Sequence, residues 1–188
     1  MATASTGRIS SHLRCVAVVC AAALAFGFGA CGSSGSSSGN AATTLQKGID
    51  EANAGNFDAA KKDFQKVLDE DPQNKYAYYN LGYIAQTEGD RAEAEKQYRL
   101  SIASDPAYGP ALYNLGIEVA ADGDKQGAID LYRRAIAANA LDAGAHFNLG
   151  LLLRETGKKV EGNSEVQTAV RLNPNLAASA KAQHIPIK

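Results

Sequence analysis

The sequence predicts an all-α protein, a solenoid of stacked helical hairpins. Three observations carry that prediction. Gly48, Gly82, Gly116 and Gly150 recur every 34 residues, and so do Gly55, Gly89, Gly123 and Gly157. Pro72, Pro106 and Pro174 keep the same period, with Ala140 in the one missing place. Between these marks the apolar side chains fall at helical spacing, as in Tyr78, Leu81, Ile84 and Ala85, then Ala94, Tyr98 and Ile102. A fixed period of this length is the signature of a repeat array, in which one hairpin cannot bury its own apolar face and stacking builds a continuous core.

Each unit follows one plan. Segment 76–88 forms the first helix, Gly89-Asp90 breaks it, and the second helix runs on to Asp105-Pro106. There the residue before proline is biased out of the α region. Gly82 and Ala94 are small because two helices cross closely at that level. Asp58, Asp90 and Asp124 stand at helix-turn places, where capping accounts for them.

The motifs Tyr78-Tyr79-Asn80-Leu81-Gly82-Tyr83, Leu112-Tyr113-Asn114-Leu115-Gly116 and Gly89-Asp90-Arg91-Ala92-Glu93-Ala94 resemble the tetratricopeptide repeat, a 34-residue unit of helix, turn and helix. The resemblance covers residues 41–176 as four units, 41–74, 75–108, 109–142 and 143–176. It implies a right-handed α-solenoid of four repeats with a short C-terminal capping helix, expected within 175–184. The rest of 177–188, Ile185-Pro186-Ile187-Lys188 above all, is expected to be a loose tail. The first unit is degenerate, with Lys47 and Glu51 where inner units carry Leu81 and Ala85, so its first helix is expected to be frayed or partly solvated. The fourth has Lys158 and Gly162 in place of Asp and Ala but keeps Leu149, Leu153, Ala169 and Val170.

Residues 1–30 have the composition of an export signal. Arg8, His12 and Arg14 precede an uninterrupted apolar or glycine stretch from Cys15 to Ala30, shorter than the ~20 residues a membrane-spanning helix needs. Gly29-Ala30-Cys31 at its end resembles the lipobox of bacterial lipoproteins, although Phe28 departs from the usual aliphatic residue. The resemblance implies cleavage before Cys31, a covalent lipid on its sulfur, and anchoring to the extracytoplasmic side of a cell membrane. Two or three acyl chains hold a protein to a bilayer almost permanently. Residues 31–44, rich in Gly and Ser, are expected to be a coil tether. All three cysteines, Cys15, Cys20 and Cys31, lie at or before the junction, which leaves the folded part without disulfides or thiolate metal sites.

The chain carries 19 Lys and Arg against 20 Asp and Glu, a net charge of −1, so it has no basic footprint for nucleic acid. No catalytic or metal-binding constellation is present. His146 shares a core column with Tyr78 and Leu112, and the glycines lack the Lys-Ser/Thr of a phosphate loop. The chain is therefore expected to be no enzyme, with no cofactor beyond the lipid and no small-molecule substrate.

First helices line the inner side of a curved array. Their columns that point away from the core are Tyr79, Tyr113 and Phe147, then Asn80, Asn114 and Asn148, then Tyr83, Ile117 and Leu151. An amide both donates and accepts, which suits a peptide backbone whatever its sequence. In the family, Asn at this place contacts bound peptide, so these nine residues are the candidate groove for a protein or peptide partner. The alternative for the same columns is contact between neighbouring helices. Arg154 is the main basic candidate there, while Arg91, Arg133 and Arg134 are expected on a solvated outer face. Other readings are a self-associating structural lipoprotein, an accessory subunit that positions an envelope enzyme, and a cytosolic array with a misassigned start.

Overall fold

A left-handed glycine and a capping aspartate convert the 34-residue rhythm into hairpins. Gly89, Gly123 and their equivalents have φ between 80 and 90°, a region open to glycine without strain. The next residue begins the following helix: Asp90 accepts from the N–H of Glu93 (3.1 Å) and Asp124 from that of Gly127 (2.8 Å). First helices are capped likewise by Asn74 and Asp142, which accept from Ala77 and Ala145. Asp58 is different. Asn56 stands at that N-cap without a side-chain capping bond, its amide donating to Glu51 instead (2.8 Å), and Asp58 lies in the first turn, where its charge favours the helix dipole.

The computed structural model describes residues 38–187. Among them are α1 (Ser38–Asn53), α2 (Phe57–Glu70), α3 (Lys75–Glu88), α4 (Arg91–Ser104), α5 (Gly109–Ala121), α6 (Lys125–Ala138), α7 (Ala143–Glu155), α8 (Lys159–Leu172), a 3₁₀ turn (Pro174–Leu176) and α9 (Ala177–Ala182). No strand occurs among the described residues. Helices pair within each hairpin, and the second helix of one unit packs on the first of the next. The fold is an all-α repeat solenoid.

The crossing points show why the small columns exist. A Cβ added at Gly82 would stand 2.7 Å from the Tyr98 ring, and at Gly116 2.7 Å from the Tyr132 ring. In the fourth hairpin Gly150 and Gly162 face each other backbone to backbone, where a Cβ on Gly162 would meet the Gly150 carbonyl at 2.5 Å. Gly162 in place of Ala thus permits a tighter crossing, with Val166 filling the space that a tyrosine ring takes in units two and three.

The ends differ from what the sequence suggests. The first helix does not fray: α1 is fully helical and starts at Ser38, inside the stretch expected to be coil. Ala41 and Ala42 are strong helix formers, Leu45 and Ile49 pack on the core, and Asn40 donates to Glu70 of α2 (3.1 Å). Lys47 and Lys66 donate to the buried Asp63 carboxylate at 2.7 and 3.1 Å, so a charge cluster replaces the apolar contact of inner units. Its hydrogen bond from Lys47, then that from Lys66, holds the Asp63 carboxyl below the usual carboxylate range. At the other end the tail is not loose. Ile185 is 3% exposed and joins Phe147, Val166, Leu176 and Ala180 in one apolar cluster, because that cluster would otherwise face water.

Candidate functional site

The inner columns form a ladder between units. Asn114 Nδ2 lies 3.4 Å from Tyr79 Oη and 3.3 Å from Tyr98 Oη, and Asn148 Nδ2 lies 3.4 Å from Tyr113 Oη. Each of these amides therefore donates to the tyrosine of the preceding unit. Asn80 instead donates to the Tyr76 carbonyl of its own helix (2.7 Å). An amide fixed through Nδ2 retains its carbonyl oxygen as an acceptor.

The aromatic column is seated deeply. Tyr79 meets Tyr108 edge to face at 5.5 Å and leans on Tyr98 at 6.0 Å. Burial pushes its hydroxyl above the usual phenol range. Tyr113 leans on Tyr132 at 5.9 Å. Phe147 and Asn148 are only 6% and 8% exposed, so in the fourth unit both columns are covered. Tyr83, Ile117 and Leu151 are half-buried. The six candidates of units two and three thus stay partly exposed, whereas two of the three in unit four are covered. Cys31 lies outside the described residues.

A polar chain under this surface escaped the sequence reading. Tyr98 Oη donates to Gln86 Oε1 (2.9 Å), and Gln86 Nε2 donates to Glu118 Oε1 (2.6 Å). Arg91 Nε donates to Glu118 Oε2 (2.9 Å) and its Nη2 pairs with Asp122 (2.7 Å). Glu118 is buried, in the column that holds Ile84 and Leu152 elsewhere. An acid in an apolar column was the available signal, and it needs a partner that only the stacked neighbour supplies. Arg91 is thus no freely solvated outer residue. Arg133 likewise crosses to Glu161 (2.8 Å) and Arg134 to the Pro106 carbonyl (3.1 Å), each stitching one unit to the next.

His146 is buried, with Nδ1 2.6 Å from Glu165 Oε2 and Nε2 3.1 Å from the Ala140 carbonyl, which places it in the framework of the last hairpin. Arg154, the basic candidate of the groove, bonds Asn163 and reaches the Gln183 carbonyl. No group of three or more metal-ligating side chains gathers among the described residues.

The tetratricopeptide repeat family model matches residues 45–109 and 113–178. The chain belongs to the tetratricopeptide repeat family. It is a repeat scaffold of the protein-interaction type. No curated protein matches it. Among solved structures, it resembles a MamA protein at 27% identity and TM-score 0.63, over 73% of this chain and 75% of that one. It resembles PilF of Pseudomonas aeruginosa at 25% and 0.67, over 77% of this chain and 66% of that one. YrrB, described as a TPR protein with an unusual peptide-binding site, shares the fold at 21% and 0.65, over 73% and 71%.

Proposed function

We propose that the chain is a non-enzymatic scaffold that binds an uncharged peptide segment or helix of a partner protein against the inner face of units two and three. One observation carries this reading. Tyr79, Asn80, Tyr83, Tyr113, Asn114 and Ile117 include no formal charge, while the ion pairs Lys61–Glu88, Arg91–Glu118 and Arg133–Glu161 stand at the stacking seams. A neutral surface of fixed amides and rings favours backbone pairing and apolar burial over charge recognition. The peptide-binding site named for YrrB supports a binding role for a fold of this shape.

The scaffold works, in this proposal, at the extracytoplasmic side of a bacterial membrane, held by lipid on Cys31. Support comes from the Gly29-Ala30-Cys31 junction and the apolar run before it. No helix among the described residues is long and apolar enough to cross a membrane. Self-association through bare ends is the weaker reading. Thr43, Lys47 and Asp50 replace the Ala77, Leu81 and Ile84 that meet a preceding unit, and α9 with Ile185 covers the far end.

Crosslinked capture from membranes tests the groove, comparing wild type with Asn80→Ala/Asn114→Ala. The variant is expected to lose the principal partners at unchanged helical content. Recovery of the same proteins by both forms refutes the groove. Fatty-acid labelling of wild type beside Cys31→Ala tests the anchor, and absence of label on wild type refutes it.

A further inference from the structure

The fourth unit differs from the others because the chain's own end lies against its inner residues. After α9 the backbone turns through His184 at φ 52, the one non-glycine residue with positive φ among the described residues. The N–H of Ile185 donates to the Ala180 carbonyl (3.1 Å) and that of His184 to the Lys181 carbonyl (2.9 Å). This is the left-handed helix stop that glycine makes without strain. It sends Ile185 back into the cluster of Phe147 and Val166, with Leu151, Val170 and Ile187 at its margin.

The segment is fastened as a bound peptide would be. Gln167 Nε2 donates to the Pro186 carbonyl (3.1 Å), and Arg154 Nη2 reaches the Gln183 carbonyl (3.5 Å). Pro186 restricts the backbone between the two isoleucines. Two carbonyl contacts, both from long side chains, and one strained turn make a weak clasp around one well-buried side chain.

We propose that the surface of the fourth unit built from Phe147, Leu151, Arg154, Gln167 and Val170 is a docking site for an extended, uncharged Ile-Pro-Ile segment, and that residues 183–187 fill it in cis as a displaceable strap. A partner segment of the same chemistry, an apolar pair flanking proline, competes for it. The inference stands on the contacts of unit four alone, so it survives failure of the Asn80/Asn114 experiment.

A fluorescent peptide Ala-Gln-His-Ile-Pro-Ile-Lys, offered in trans to the full chain in detergent, tests it by anisotropy. Ile185→Asp/Ile187→Asp releases the strap and His184→Gly relieves its turn. The released form is expected to bind the peptide about tenfold more tightly than wild type, and His184→Gly more weakly than wild type. Binding should change little between about 50 and 500 mM salt, since the contact is uncharged. Equal binding to released and wild-type chains, or none to either, overturns the proposal. Should the Asp variant fail to fold, hydrogen exchange on wild type decides. Excess unlabelled peptide is expected to speed exchange of the Ile185 amide, and an unchanged rate refutes the strap.

Discussion

Gly116→Ala isolates the physical reason for the 34-residue glycine column. The added Cβ would stand 2.7, 3.0 and 3.1 Å from Cε1, Cδ1 and Cζ of Tyr132. Carbon atoms rest at about 3.5–4.0 Å, so the ring must retreat by ~0.5–1 Å. Tyr132 is 1% exposed and packed among Val119, Ile129 and Leu153, so the displacement reaches its neighbours. Overpacking of this kind costs about 1–3 kcal/mol, and the helix-propensity gain from Gly to Ala offsets roughly 1 kcal/mol of it. The net loss is about 0–2 kcal/mol, and a mid-range loss of ~1 kcal/mol lowers the melting temperature by about 2–4 °C in a chain of this size. Gly109→Ala on the same helix is the control, because its Cβ would meet Ala138 at 3.5 Å and the Ala135 carbonyl oxygen at 3.8 Å, both ordinary contacts. That variant is expected to stay within ~0.5 kcal/mol of wild type. Urea unfolding monitored by circular dichroism reads both. A Gly116→Ala chain as stable as Gly109→Ala would refute the claim that the glycine sets the separation of α5 and α6.

Two further perturbations address the buried charges. Asp63 has a folded-state pKa below its usual value, so its contribution is complete above about pH 4 and is lost as pH falls through the depressed value. Asp63→Asn is expected to be less stable than wild type at neutral pH and to converge with it in acid, as thermal melts across pH would show; parallel curves would contradict the Lys47–Asp63–Lys66 cluster. Glu118→Ala leaves Gln86 Nε2 and Arg91 Nε without their carboxylate acceptor, while Arg91 keeps Asp122, and is expected to cost about 1–3 kcal/mol. Faster hydrogen exchange should follow at the seam between α3, α4 and α5, and unaltered protection there would show the polar chain to be dispensable.

Most of the fold was legible because it depends on local chemistry repeated in register. The turn glycines, Asp90 and Asp124 as caps, and Gly82 opposite Tyr98 each follow from one unit's sequence. What the sequence hid depends on a neighbour. Lys47 looked like a defect because its partner Asp63 lies on the other helix of the hairpin, and only the pair makes sense of the lysine. Glu118 was passed over for the same reason, since its partners Gln86 and Arg91 belong to the unit before. Ser38 to Thr44 looked like linker by composition, yet a few large contacts from Leu45 onward suffice to order alanines and threonines ahead of them. Ile185 looked free because the left-handed turn that brings it home is made by His184, where glycine is the ordinary signal.

The inner ladder gives Asn114 and Asn148 a second duty, and that changes how their substitution must be read. Asn114→Ala removes a candidate peptide contact and also the link to Tyr79 and Tyr98 of the preceding unit, so lost binding in that variant has two causes. Asn80 bonds only within its own helix, to the Tyr76 carbonyl, and has no such link to a preceding unit. If the column grips a partner directly, Asn80→Ala weakens capture while the unfolding midpoint stays near wild type, and Asn114→Ala lowers both. If the column serves only to hold the units together, Asn80→Ala captures as well as wild type, and any loss in Asn114→Ala tracks its stability. The amide that contributes least to the stacking is therefore the one whose removal says most about binding.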